Sequence, residues 1–146
     1  MSEKPKPGEI ERALYRTRDA RLYSGETQLV KSIQAYLRTV VGVACFRRNV
    51  GIAEYTSNEA GKRRVVRFGI AGQADLWFLH PTGLHGEIEA KQPGLKPTPQ
   101  QLEWLQFMRE HGAIAIWCSS LEELAGQLAA EYGRRGLHWE PSWRIR

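Results

Sequence analysis

Cysteine is scarce in this chain: Cys45 and Cys118 are the two among 146 residues, and neither has a second Cys or a His at zinc-ligand spacing. Each lies in an apolar run, so both read as reduced core residues, which excludes a disulfide scaffold or a zinc module. Long hydrophobic runs are also missing. None approaches the roughly 18 residues that span a bilayer, and Met1-Ser-Glu-Lys-Pro-Lys-Pro7 lacks the apolar stretch of a signal peptide. An intracellular protein with no membrane partner is therefore expected. Ser, His and Asp form no nucleophilic constellation, and there is no internal repeat. With 146 residues there is room for one real core and not for two. The net charge of +5 arises at an ordinary 25% of charged residues, so it reflects an excess of Arg and Lys that suits a polyanionic partner.

What stands out is charge placed where a core would want hydrocarbon, between Gly69 and Lys91. Leu76-Trp-Phe-Leu79 reads as one short strand. Leu84 opens a second, in which Ile88 and Ala90 alternate with Glu87, Glu89 and Lys91. Between them, His80-Pro-Thr-Gly83 has Pro at the first loop position and Gly at the third, which suits a three-residue hairpin loop ending in a left-handed residue. Pairing His80 with Leu84 then sets Asp75 directly opposite Glu89. Opposed like charges destabilise a strand pair; at about 4 Å and an effective dielectric of about 20 the repulsion is about 4 kcal/mol. A divalent cation would turn that cost into binding energy. Lys91 points to the same side as Glu89 by the two-residue period of a strand. The set offers hard oxygen ligands for Mg²⁺ or Mn²⁺ with an ammonium beside them.

Asp75 followed by Glu89-Ala-Lys91 resembles the PD-(D/E)xK nuclease signature. More narrowly, Arg47-Arg-Asn-Val-Gly51, Arg67-Phe-Gly-Ile-Ala-Gly-Gln-Ala-Asp75, Ile88-Glu-Ala-Lys91 and Thr98-Pro-Gln-Gln-Leu-Glu-Trp104 resemble the VRR-NUC (virus-type replication-repair nuclease) family, in the family's order. The resemblance spans roughly Ser24 to Leu124. It implies a restriction-endonuclease-like αβββαβ core, an α/β fold with a mixed sheet flanked by helices. It also implies metal-dependent hydrolysis of phosphodiester bonds in flapped or four-way-junction DNA, in repair, recombination or phage replication, by a homodimer. In that reading Asp75 and Glu89 bind Mg²⁺ or Mn²⁺, Glu26 completes the site, and the carbonyl of Ala90 adds a ligand. Lys91 orients the attacking water or stabilises developing charge. Ala74 departs mildly from the pattern, standing where a small polar residue is common. The alternative is a nucleic-acid-binding module of the same fold in which Asp75, Glu89 and Lys91 form only a buried ion network.

The remaining chain divides into a basic lead-in (residues 1–23), the nuclease-like domain (24–132) and a basic tail with Trp139 and Trp143 (133–146). The lead-in is either a short helix near the substrate or a solvated approach. The tail's tryptophans either stack on bases or pack on protein. A helix is expected from Gly25 to Val41, with Ser24 as N-cap and Leu29, Val30, Ile33, Tyr36, Leu37 and Val40 as its buried stripe. Glu26 sits at the end of that stripe, either favoured by the helix N-terminus or turned toward the metal. Val43-Ala-Cys-Phe46 reads as a strand, Glu54 to Lys62 as polar and turn-like, and Arg63 to Phe68 as a strand. Arg47, Arg48, Arg63, Arg64 and Arg67 are candidates for phosphate contacts, or else members of a solvated hairpin. Gly69 and Gly72 either bring backbone close to the metal and substrate or make a turn. Thr98-Pro-Gln-Gln101 is a capping box that starts a helix, and Gln101 also heads the stripe Trp104, Leu105 and Met108, where the family has an active-site Gln. Gly112 ends that helix; Ala113 to Cys118 reads as a buried strand, and Ser120 caps a last helix ending at Gly133. His85, with no partner in view, reads as peripheral.

Overall fold

The computed structural model of the chain describes residues 25–48, 51–56 and 63–138, with backbone alone for 51–56, 63, 64 and 68. The lead-in, Ser24, the tail beyond His138 and the expectations attached to them lie outside the described residues. The chain folds as a mixed α/β structure built on helix α1 (Gly25–Tyr36), strands β1 (Ala44–Arg47), β2 (Gly51–Thr56), β3 (Arg63–Phe68), β4 (Leu76–Leu79) and β5 (His85–Ala90), helix α2 (Pro99–Glu110), strand β6 (Ile114–Cys118) and helix α3 (Leu121–Arg135). Four strands form one sheet in the order β1-β4-β5-β6, and β2 and β3 form a separate antiparallel pair. The pairs β1–β4 and β4–β5 are antiparallel and β5–β6 is parallel, so the sheet is mixed.

The expected helix over residues 25–41 is α-helical to Tyr36 and widens into a π-turn at Leu37–Val41. Gly42, at φ 76°, ends it in a left-handed conformation and returns its N–H to the Leu37 carbonyl. Every residue of the expected stripe is buried. One face of the sheet meets α1 and α3 through a continuous apolar core: Ile33, Leu37, Cys45, Phe78, Ile88, Ile116 and Leu124 are all within it. The opposite face carries the odd-numbered residues of β5 and β6 and packs α2, whose Leu105 lies buried with Ala74 and Ala115, flanked by Trp104, Met108 and Trp117. Period-2 alternation along β5 thus separates hydrocarbon on one side from Glu87 and Glu89 on the other. No helix among the described residues is long and apolar enough to cross a membrane.

Local chemistry accounts for the boundaries. At α2 the capping box is complete: the Gln101 N–H donates to Thr98 Oγ1 at 3.3 Å and the Thr98 N–H to Gln101 Oε1 at 2.8 Å. At α3 the Glu123 N–H donates to Ser120 Oγ, while the Glu123 carboxylate accepts from Ser119 instead of from the cap residue itself. That helix passes through Gly133 and ends at Arg135, with Gly136 at φ 64°. Gly133 can be helical because the left-handed stop is supplied three residues later.

The stretch from Glu54, expected to be turn-like, begins as strand: Gly51–Thr56 pairs with Arg63–Phe68, Glu54 opposite Val65. Ile52, Tyr55 and Thr56 are strand formers, and a pairing partner outweighed local polarity; residues 57–62 lie outside the described set. Cys45 and Cys118 are buried free thiols, and burial pushes each up to about 12. Phe78 and Gly86 face each other across β4 and β5, and a Cβ on Gly86 would stand 2.0 Å from the Phe78 ring. Gly86→Ala should therefore overpack the core and cost about 1–3 kcal/mol, read as a lower urea midpoint, and Phe78→Leu in the same chain should restore part of it. An unchanged midpoint for Gly86→Ala would show that this contact is loose.

Candidate active site

The hairpin between β4 and β5 has the expected loop and register. The His80 N–H donates to the Leu84 carbonyl and the Gly83 N–H to the His80 carbonyl, with Gly83 at φ 89°. The pairs Leu76–Ile88 and Leu79–His85 extend one step to set Asp75 opposite Glu89. At that step the side chains complete the ladder. The Ala90 N–H donates to Asp75 Oδ2 at 2.9 Å and the Asp75 N–H to Glu89 Oε2 at 3.2 Å. Among the described residues no donor reaches the second Asp75 oxygen.

Glu89 is buried, 1% exposed. Its Oε1 meets Lys91 Nζ at 2.7 Å and accepts from Gln101 Nε2 at 2.6 Å. Gln101 thus both caps α2 and hydrogen-bonds the Glu89 carboxylate. Burial, then the Asp75 charge, push the Glu89 carboxyl up to about 7 against the pull of Lys91. Burial also raises Asp75, with the Glu26 charge adding to it and the Ala90 N–H, Lys91 and Arg47 opposing. Burial is the largest influence on Lys91 and works against its charge, but Glu89, Glu26 and Asp75 together outweigh it and leave the ammonium raised.

Glu26 occupies the first turn of α1, half-buried, and its charge reaches both Asp75 and Lys91. It does not close a cage with them: among the described residues no three of His, Cys, Asp and Glu group as cation ligands. The donor set that is present consists of two carboxylates and, because N–H and C=O of one strand residue point to the same edge, the Ala90 carbonyl on the Asp75 side. Hard oxygens of that number fit Mg²⁺ or Mn²⁺, which are held by one or two carboxylates and otherwise keep water or substrate oxygens.

Beside this pair lies a second buried carboxylate whose role the sequence reading missed. Glu87 is fully buried on the same face of β5. Arg48 forks onto it, Nη1–Oε2 at 2.5 Å and Nη2–Oε1 at 2.9 Å, while His85 Nε2 lies 2.7 Å from Oε1 and the Trp104 Nε1–H donates to Oε2 at 3.1 Å. Arg48, expected to meet phosphate, instead braces the site: its backbone N–H donates to the Asp75 carbonyl at 2.7 Å and its guanidinium to the Ala74 carbonyl at 3.3 Å. It also lies 5.8 Å from the Trp104 ring centroid. His85 is not peripheral, since Glu87 and the Trp77 ring both hold it. The available signal was Glu87 on a central strand, where an acid needs a cation.

Of the other expected basic residues, Arg47 and Arg67 are exposed, and Arg63 and Arg64 lie on β3 with side chains outside the description. Ala74 is buried beneath α2, a place where a polar side chain would need its own partner. Gly72, at φ 87°, approaches α2 so closely that a Cβ would stand 2.7 Å from the Gln100 carbonyl oxygen. A groove of about 350 Å³, lined by Ala71, Gln100, Glu103, Trp104 and Phe107, runs beside it.

Two outcomes follow from this geometry. Arg48→Ala leaves Glu87 buried with its main partner gone and should cost about 3–5 kcal/mol, with Arg48→Ala/Glu87→Leu recovering part in denaturant unfolding; equal losses would mean the pair is incidental. The second concerns pH. Glu89 has an ordinary value of 4.5 and is held near 7 in the fold, so its contribution is full below about 4.5 and lost as pH rises through about 7. The stability of wild type relative to Glu89→Gln, measured without divalent cations, should therefore fall between about pH 5 and pH 8. A flat or rising difference would contradict the burial of that charge.

No protein-family model matches the chain, and no curated protein matches it, so a functional reading rests on the geometry of Asp75, Glu89 and Lys91 and on the motifs themselves.

Proposed function

We propose that this protein is a Mg²⁺- or Mn²⁺-dependent nuclease that hydrolyses phosphodiester bonds in DNA, with branched or flapped duplex as substrate. The observation that carries the reading is the placement of Asp75 opposite Glu89 beyond the last β4–β5 pair, with Lys91 Nζ on the Glu89 carboxylate at 2.7 Å. Like charges held together by burial are a standing demand for a cation. The fold is compatible: with β2 and β3 set aside, α1-β1-β4-β5-α2-β6 follows the αβββαβ order of a restriction-endonuclease-like core.

Asp75, Glu89 and the Ala90 carbonyl would hold the ion, with Glu26 adding negative charge from α1. Bound there, Mg²⁺ or Mn²⁺ supplies charge stabilisation at the phosphate and a more acidic water. The chain's own contributions are distinct. Gln101 and Lys91 orient the Glu89 carboxylate, and Lys91 keeps its proton under the combined pull of Glu89, Glu26 and Asp75. An ammonium so held stabilises charge developing on the phosphate or aligns the attacking water.

A second reading, a nucleic-acid-binding module without turnover, is favoured by one feature: Glu89 Oε1 is already satisfied by Lys91 and Gln101. A labelled panel of linear duplex, 5′ flap, splayed arm and four-way junction separates the two. The nuclease should cut at least one member with Mg²⁺ or Mn²⁺ and stop with EDTA. Asp75→Asn should lower the rate about 10³-fold or more, and Lys91→Ala about 10²- to 10³-fold with metal binding retained. Tight binding of the panel without cutting would establish the second reading, and full activity in Lys91→Ala would remove that residue's role.

A further inference from the structure

On the face of the sheet that carries Asp75 and Glu89, α2 packs over β5 and β6. Across β1 and β4 the same face carries a row of rings. Phe46 lies directly opposite Trp77, their centroids 4.5 Å apart and their planes at 25°, and His85 continues the row at 5.7 Å and 19°. Trp77 therefore has a ring on each side. Phe46 does not: β1 is the edge strand, Phe46 is 38% exposed, and among the described residues no other ring stacks on it. Among the described side chains the row ends at Phe46, which is partly exposed.

A cation lies next to Phe46 on β1. Arg47 follows Phe46 and is exposed, and its charge reaches Asp75. Asp75 directly precedes β4, two residues or about 7 Å from Trp77, so the ring row and the carboxylates are neighbours. We propose that Phe46 is a stacking platform for an unpaired nucleobase of a DNA strand whose backbone passes Arg47 toward Asp75 and Glu89. The proposal rests on the nuclease reading and deepens it. A base inside a continuous duplex has both faces covered by its neighbours, so only a flap, a splayed arm or a branch point offers one to Phe46. Stacking accepts any base, because each has a π-face, while the phosphates meet Arg47 irrespective of sequence.

The test is binding of fluorescein-labelled single-stranded DNA by the full chain in EDTA, compared with a strand of equal length whose central nucleotides are abasic. Wild type should bind the base-bearing strand more tightly. Phe46→Leu should weaken that binding roughly 5- to 100-fold, leave the affinity for the abasic strand and the salt slope unchanged, and lose the difference between strands. Phe46→Trp should retain it. Equal wild-type affinities for the two strands would overturn the proposal, and so would an equal loss in Phe46→Leu and Phe46→Trp, which marks a structural effect. Retained base preference in Phe46→Leu with loss of a concentration-dependent dimer in sedimentation would overturn it too, assigning the face to a second copy. Base-dependent binding through Phe46 in a protein that never cuts the panel would sustain the platform while removing the nuclease.

Discussion

The structure turns on a repulsion left unresolved by the protein itself. Asp75 and Glu89 face each other one step beyond the last β4–β5 pair, each taking a backbone N–H on the other's strand, so their separation is set by the sheet. Burial keeps water from screening them, which is why Glu89 is held near 7 and Asp75 is raised as well. Lys91 and Gln101 offset part of that cost on the Glu89 side, while one Asp75 oxygen has no donor among the described residues. A folded chain maintains such strain only where the surrounding geometry over-determines it, and here the strands, the loop and α2 all do.

The brace is the second ionic cluster on the same face. The Arg48 guanidinium ties the buried Glu87 to the Ala74 carbonyl, and its backbone N–H holds the Asp75 carbonyl, so one arginine just past β1 links the approach to β4 with the centre of β5. Its planar fork suits the job in a way an ammonium would not. Trp104 closes the cluster from α2 and His85 from β5. The opposite face of β5 needs none of this, because Ile88 and Ala90 lie in the apolar core. A strand with alternating character can therefore present a polar site on one side and a core on the other with no change in backbone.

Residues differ in how openly their sequence neighbourhood states their role. Gly83 and Pro81 define a loop length, a loop length defines a register, and a register sets Asp75 against Glu89, so that much was legible. The same holds for Thr98 and Gln101, whose capping exchange spans three residues, and for the stripe of α1. Arg48 and His85 were not legible, because their partner is 39 residues away in one case and, in the other, a near neighbour whose burial is set by tertiary packing. Strand β2 was hidden for a similar reason: its polar residues became strand only when β3 arrived to pair with them.

By itself, then, the sequence determined what acts within a few residues: caps, turn, alternation, and the two acids brought together by a short hairpin. These are local because steric and hydrogen-bonding preferences of the backbone act over short separations. Only the tertiary structure decided which charges are buried, that Arg48 serves Glu87 instead of solvent, and that Phe46, Trp77 and His85 from three strands form one row of rings. Burial and electrostatics depend on every element that packs around a group, and no single segment carries that information.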